Sequence, residues 1–281
     1  MKKIIVPVDF SPQAADALDF AIDFGKKVKS KILLLHILET PTSSFSVTGE
    51  VNQPSMETLY KEEFIKGVHH RLDEWAQKVR EAGVEVGTRM KYGNPFHNIS
   101  RAITEEKASL IIMGSKGASG LKEVFIGSNA ERVIRYAACP VIVIKGPTAL
   151  EKMRNLVLAS DLSEEQDRIA SKAKEVQSLL GLNMHVLKVR TGYNFLTSNE
   201  ANKQLEGFAR RNLLQNHTLN TIEAEYADEG IVEFAEEVNA GIILIGTHGK
   251  TGLAHFFGGS RAEDLVNESK IPVMTFKLPF D

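Results

Sequence analysis

The chain is poor in cysteine, with one residue in 281, so no internal disulfide framework stabilises it. Cys139, placed just before Pro140 at a strand entrance, reads as a small buried apolar group rather than a redox centre. Proline and glycine are also modest, 9 and 21 residues, which excludes fibrous repeats and disordered low-complexity classes. No stretch approaches the ~20 apolar residues that a membrane-spanning helix needs. The apolar run that follows Lys2 and Lys3 ends at Asp9, too short for the apolar region of a signal peptide. Charge of either sign is not in excess: 34 Lys and Arg face 36 Asp and Glu, for a formal charge of −2. Such a balance supplies no field that would draw the chain to nucleic acid or to an anionic membrane. The expectation is a soluble, cytoplasmic globular chain with neither as a partner. The histidines, including the pair His69-His70 on a charged helix, show no ligand spacing with Cys, Asp or Glu, so no protein-held metal is expected.

What the sequence does contain is a repeat. VPVDFS, from Val6 to Ser11, matches LASDLS, from Leu158 to Ser163, with Asp9 and Asp161 152 positions apart; Ile37 and Val189 keep that separation. Gly114, Gly117, Gly127, Ser128, Pro140 and Lys145 match Gly246, Gly249, Gly259, Ser260, Pro272 and Lys277 at a constant 132 positions. Two constant separations imply two copies, the first longer by 20 residues between Ile37 and Gly114. The polar run Thr40 to Ser55 is the expected place for that lengthening. Gly146-Pro147 is a turn dipeptide and marks the expected seam, giving domains 1–147 and 148–281.

Within a copy, β-branched runs alternate with amphipathic stretches, the pattern of βαβ units around a parallel sheet covered on both faces. Strands are expected at Lys3 to Val8, Lys31 to Ile37, Val84 to Lys91, Leu110 to Met113 and Val141 to Lys145. Helices are expected at Pro12 to Val28, with Ser11 as N-cap, then at Met56 to Ala82, Phe96 to Lys107 and Ser128 to Ala137. The second copy repeats the order. Right-handed crossovers give a doubly wound domain whose ligand site lies at the carboxyl ends of strands, where the strand order reverses. Asp9 and Gly114 both fall at such ends.

After the fourth strand the first copy reads Gly114-Ser115-Lys116-Gly117, nine residues, then Gly127-Ser128; the second reads Gly246-Thr247-His248-Gly249, nine residues, then Gly259-Ser260. Glycines without Cβ let backbone approach a ligand closely. The helix opened by Gly127-Ser128 offers unpaired N–H groups and a dipole that favour an anion. A single such glycine pair is most simply a βα turn. Two copies with one interval, each paired with an aspartate ending its first strand, point to a phosphate seat. Gly249-Lys250-Thr251 does not complete a P-loop, because Leu244 stands where that motif needs glycine.

These residues resemble the ATP-binding branch of the universal stress protein family, marked by Gly-x2-Gly-x9-Gly-Ser/Thr. The likeness extends through LLHIL, GNP, IIMGSKGASGL, GSNAERV and CPVIVIK in the first copy, and through VLKV, LIGTHGKTGL, GSRAEDLV and IPVMTFK in the second. The resemblance implies two tandem Rossmann-like domains, each a five-stranded doubly wound parallel sheet, joined as an internal pseudo-dimer through Val141 to Lys145 and Val273 to Lys277. It implies ATP, or ADP or AMP, over the strand ends, with Mg held only through nucleotide phosphates. By this likeness Asp9 and Asp161 meet the adenosine part, and the backbones of Ile37 and Val189 flank the adenine. Gly114, Ser115, Gly117, Gly127 and Ser128 hold ribose and phosphates, as do Gly246, Thr247, Gly249, Gly259 and Ser260; Pro7, Val8, Met113, Lys116 and Asn129, with Ala159, Ser160, Ile245, His248 and Arg261, complete the expected binding set. A homodimer through last strands or domain surfaces fits the same family. The second copy departs in Ala159-Ser160 for Pro7-Val8, Lys188 for His36 and Arg261 for Asn129.

The residues offer little for catalysis. Lys116, Lys250 and Arg261 are the cationic groups near the loops by motif, and no general base is identifiable, so at most weak ATP hydrolysis is expected. The leading expectation is a nucleotide-gated regulator or binding protein of stress response. A slow ATPase or phosphoryl-transfer protein, and a scaffold with vestigial pockets, are the alternatives.

Overall fold

The computed structural model describes residues 2–39, 56–115, 126–192, 196–247 and 262–278. The first half runs β1 (Lys3–Pro7), α1 (Pro12–Val28), β2 (Lys31–Leu38), α2 (Met56–Glu81), β3 (Val86–Tyr92), α3 (Pro95–Glu105), β4 (Leu110–Gly114), α4 (Ser128–Tyr136) and β5 (Val141–Ile144). The second runs β6 (Asn155–Ala159), α5 (Asp167–Leu180), β7 (Asn183–Arg190), α6 (Ser198–Arg211), β8 (His217–Glu223), α7 (Ala227–Glu237), β9 (Ala240–Thr247), α8 (Ala262–Glu268) and β10 (Val273–Lys277).

All ten strands form one sheet in the order β3-β2-β1-β4-β5-β10-β9-β6-β7-β8. Every neighbouring pair is parallel except the central one: β5 and β10 run antiparallel, with Val143 opposite Val273 and Ile142 opposite Met274. The two halves are thus joined edge to edge through their last strands, as the resemblance implied, and each covers the other's exposed strand edge. Successive strand residues point to opposite faces. Ile4 and Val6 join a core beneath α1, α2, α5 and α6, while Ile5 joins a second core beneath α3, α4, α7 and α8; both cores run through both halves.

Local signals explain several helix ends. Pro12 opens α1 and Ser11 Oγ accepts the N–H of Ala14 at 3.2 Å. Asn94 caps α3 through the N–H of His97, with Pro95 following. The second half differs at one such point. Ser163 is followed by Glu164 and Glu165 instead of proline, its side chain makes no cap bond, and Glu164–Gln166 forms a 3₁₀ turn before α5 begins at Asp167. The far ends of α1 and α5 stay in register, with Lys29 and Gly181 both left-handed at the C-cap. The longer first copy carries its excess in the connection after β2 and also in α2 itself, 26 residues against 14 in α6. The Thr40 to Ser55 run lies outside the described residues. No helix among them is long and apolar enough to cross a membrane.

Candidate functional site

In each half the first strand ends on an aspartate and a bend. Asp9 Oδ1 accepts the N–H of Ser11 at 3.0 Å, and Asp161 Oδ1 accepts that of Ser163 at 2.9 Å. The residue between takes a left-handed backbone in both, Phe10 at φ 63° and Leu162 at φ 70°. A bulky residue there is strained and persists only where its surroundings hold it. The Phe10 ring lies 4.7 Å from that of His36 and edge-on to Trp75 at 5.3 Å, with the Arg71 guanidinium 4.2 Å above it. His36 Nδ1 lies 2.7 Å from the Val8 carbonyl, which can only accept, so Nδ1 carries the proton. Burial holds the His36 imidazole below its usual range, opposed by that hydrogen bond and by Asp9.

The chain leaves β1 toward β2 on one side and reaches β4 on the other, so the order reverses between β1 and β4. A cavity of about 310 Å³ opens there. Its apolar walls come from Val8, Leu35, Ile37, Ile99 and Met113; Asp9, Ser115 and Ser128 supply polar groups, and Gly114, Gly127 and Asn129 complete the loop side. Gly114 is required by packing: a Cβ there would stand 2.9 Å from the backbone carbonyl of Gln13, at the start of α1. Gly127 has φ −68° and ψ 143°, open to any residue. Its N–H donates to the Ser115 carbonyl at 2.8 Å, and the Ser115 N–H donates to the Ile144 carbonyl at 3.0 Å. These bonds fix the entry to α4, whose N-cap receives no side-chain hydrogen bond. Among the described residues the first N–H groups of that helix have neither an intrahelical partner nor a side-chain cap.

Of the first-half residues singled out above, Pro7, Val8, Asp9, Ile37, Met113, Gly114, Ser115, Gly127, Ser128 and Asn129 all line this one cavity. Lys116 and Gly117 lie outside the described residues. Ala14, Leu35, Glu39, Pro95, Ile99 and Ala130 line it too. Pro95 belongs to the GNP string and Ala130 to GSNAERV, and Leu35 shares the strand face of Ile37. The other three carried no signal that separates a lining residue from core or surface.

In the second half, Ala159, Ser160 and Asp161 end β6 and its turn, Val189 lies on β7, and Ile245, Gly246 and Thr247 end β9. His248, Gly249, Gly259, Ser260 and Arg261 lie outside the described residues. Lys188 stands at the place of His36 and donates to the Asp161 carbonyl at 2.9 Å. Burial lowers its pKa, with Asp161 acting against the shift. Ser160 Oγ accepts the N–H of Leu162 at 2.9 Å.

No group of three or more His, Cys, Asp or Glu among the described residues is arranged to hold a metal ion. Cys139 is buried, and burial pushes its thiol pKa up to about 12, so it stays protonated and unreactive.

The model of the universal stress protein family matches residues 1–145 and again 152–277. A universal stress protein of Methanocaldococcus jannaschii is 33% identical over 149 residues, covering 52% of this chain and 83% of its own. The Bacillus subtilis protein YxiE, also a universal stress protein, is 32% identical over 152 residues, covering 51% of this chain and 98% of its own. Both are therefore similar to about one half of the chain. The crystal structure of a universal stress protein from Archaeoglobus fulgidus shares the fold over the whole length, with a TM-score of 0.76, 24% identity and coverage of 99% of this chain and 98% of the other. With two family matches in succession across one continuous sheet, this chain belongs to the universal stress protein family as a tandem member.

Proposed function

We propose that the first half binds an adenine nucleotide, ATP or its ADP or AMP forms, and that occupancy regulates a cytoplasmic stress response. What supports this reading is one observation: an apolar recess, the Asp9 and Glu39 carboxylates and an open helix N-terminus line a single cavity at the strand-order reversal. Its volume of about 310 Å³ suits a small organic ligand, since such sites run to roughly 300–1,000 Å³. The donor set fits the parts of a nucleotide. Val8, Ile37, Ile99 and Met113 give a base an apolar seat, and Asp9 accepts hydrogen bonds from the adenosine part. Ser128 and the first-turn N–H groups of α4 meet phosphates. Bound nucleotide would bring negative charge and, through its phosphate oxygens, Mg. The Ser115 to Gly127 bond sets where that charge sits.

Binding regulates only if affinity differs between two conformations of the protein. The protein is read as a nucleotide-gated binding protein rather than an efficient enzyme; among the described residues the lining contains no histidine or lysine to serve as base or charge clamp. The test is denaturing extraction of the purified chain, with released nucleotide identified by chromatography and mass and set against chain concentration. ATP or ADP is expected. An empty extract together with no calorimetric binding of added Mg·ATP would end this reading.

A further inference from the structure

We infer that the chain holds one nucleotide, in its first half, because Gln166 closes in the second half the space that Ala14 leaves open in the first. The inference rests on the nucleotide reading above. Ala14 and Gln166 are 152 positions apart, the separation that relates Asp9 to Asp161 and the C-caps of α1 and α5. Ala14 lines the first-half cavity. Gln166, with a methylene and a whole amide beyond its Cβ, is fully buried. It ends the 3₁₀ turn that replaces the first turn of α1, so its backbone as well as its side chain is placed differently from Ala14.

The amide reaches the glycine that leads into the second loop: a Cβ on Gly246 would lie 3.1 Å from Gln166 Oε1 and 3.2 Å from Nε2. Ile169, at the position of Ala17, puts its Cδ1 2.2 Å from the same point. On the corresponding side of Gly114 the nearest atoms belong to the start of α1 itself, the Gln13 backbone and Cβ. Where the first half has two alanines, the second therefore has two large side chains pressed beneath the glycine. Neither Gln166 amide atom, nor the Thr247 hydroxyl, finds a hydrogen-bond partner among the described residues. In this inference Gln166 acts by its volume rather than through its amide. The strand end is tied off as well, with Ser160 bonded to Leu162 and Lys188 to the Asp161 carbonyl.

The test uses the full chain and Mg·ATP, with stoichiometry by calorimetry and equilibrium dialysis, and with folding checked by circular dichroism and melting. Wild type is expected to bind one nucleotide per chain. Gln166→Ala is expected to bind two, and Gln166→Met, which keeps the volume and removes the amide, to stay at one. Ala14→Gln is expected to bind none while melting cooperatively. Two nucleotides on wild type, one on Gln166→Ala, or unchanged binding by Ala14→Gln would each overturn the inference and leave the nucleotide reading standing. No nucleotide on either wild type or Gln166→Ala would overturn both.

Discussion

The N–H of Ile126, the residue before Gly127, donates at 2.6 Å to Oδ1 of Asn267, near the end of α8 in the other half of the chain. The Asn267 carbonyl receives Lys145 Nζ, also at 2.6 Å, from the end of β5. One second-half residue therefore holds both the approach to α4, the phosphate seat in our proposal, and the strand that joins the halves. A buried N–H left without its acceptor costs about 1–3 kcal/mol. Asn267→Ala is expected to weaken Mg·ATP binding about tenfold, the change that ~1.4 kcal/mol makes, and Asn267→Asp, which keeps the acceptor, to bind close to wild type. Equal affinity for all three would show that the contact does not position the seat.

Asp9 has a structural duty and, in our reading, a binding one. Its Oδ1 closes the turn onto Ser11 N–H, which an asparagine carbonyl can also do, since both side chains form such turns. Asp9→Asn is therefore expected to melt near wild type yet bind ATP more weakly by about 1.5–3 kcal/mol, the usual worth of a hydrogen bond to a charged group. Asp9→Ala is expected to lose both. Parallel losses of stability and affinity in Asp9→Asn would assign the carboxylate to the turn alone.

Gly114 and Gly246 end equivalent strands but meet different obstacles. At Gly114 a Cβ meets the Gln13 backbone, which can shift only with the start of α1; at Gly246 it meets first the methyl end of Ile169, a side chain that can turn aside. Overpacking a tight site costs typically about 1–3 kcal/mol. Gly114→Ala is expected near the top of that range and Gly246→Ala near the bottom, by urea denaturation. The reverse order would show that α1 yields more readily than the packed Ile169.

Much of this was legible in the sequence because it depends on short-range signals or on the repeat. Pro12 after Ser11 fixed the start of α1, and the paired aspartates and glycine loops located the strand ends. The parts that stayed hidden are of other kinds. Ala14 and Ile99 line the cavity, yet a small or branched apolar residue in a helix looks the same whether it faces a ligand or a core. The later start of α5 depends on Glu164 replacing a proline, a change that reads as an ordinary surface substitution until the turn is seen. The lengthening of the first copy was expected in its polar connection; the helix read at Met56 to Ala82 is present as α2 and carries part of that lengthening. Asn267 bridges 141 positions to Ile126, a pairing that no local rule reports.

His36 couples this site to pH. Its folded-state pKa is depressed, first by burial, while the Val8 hydrogen bond and Asp9 raise it and Arg71 lowers it further. An unfolded imidazole titrates near ~6.5, so as pH falls past that value the unfolded chain takes up the proton first. The stability His36 contributes is thus present above about pH 6.5 and is lost as pH drops toward the folded value, at no more than ~1.4 kcal/mol per pH unit for one proton. His185 is depressed by burial in the same direction, which makes the difference between proteins the informative quantity. His36→Gln is expected to lose less of its melting temperature than wild type between pH 7 and pH 5, in approximate terms set by that slope. Because protonated His36 would repel the Arg71 guanidinium that lies over Phe10, the same titration is expected to loosen the bend that aims Asp9 into the cavity. Mg·ATP affinity of wild type should therefore fall over this window more steeply than that of the variant. Parallel pH profiles for the two proteins would remove His36 from the account of both stability and binding.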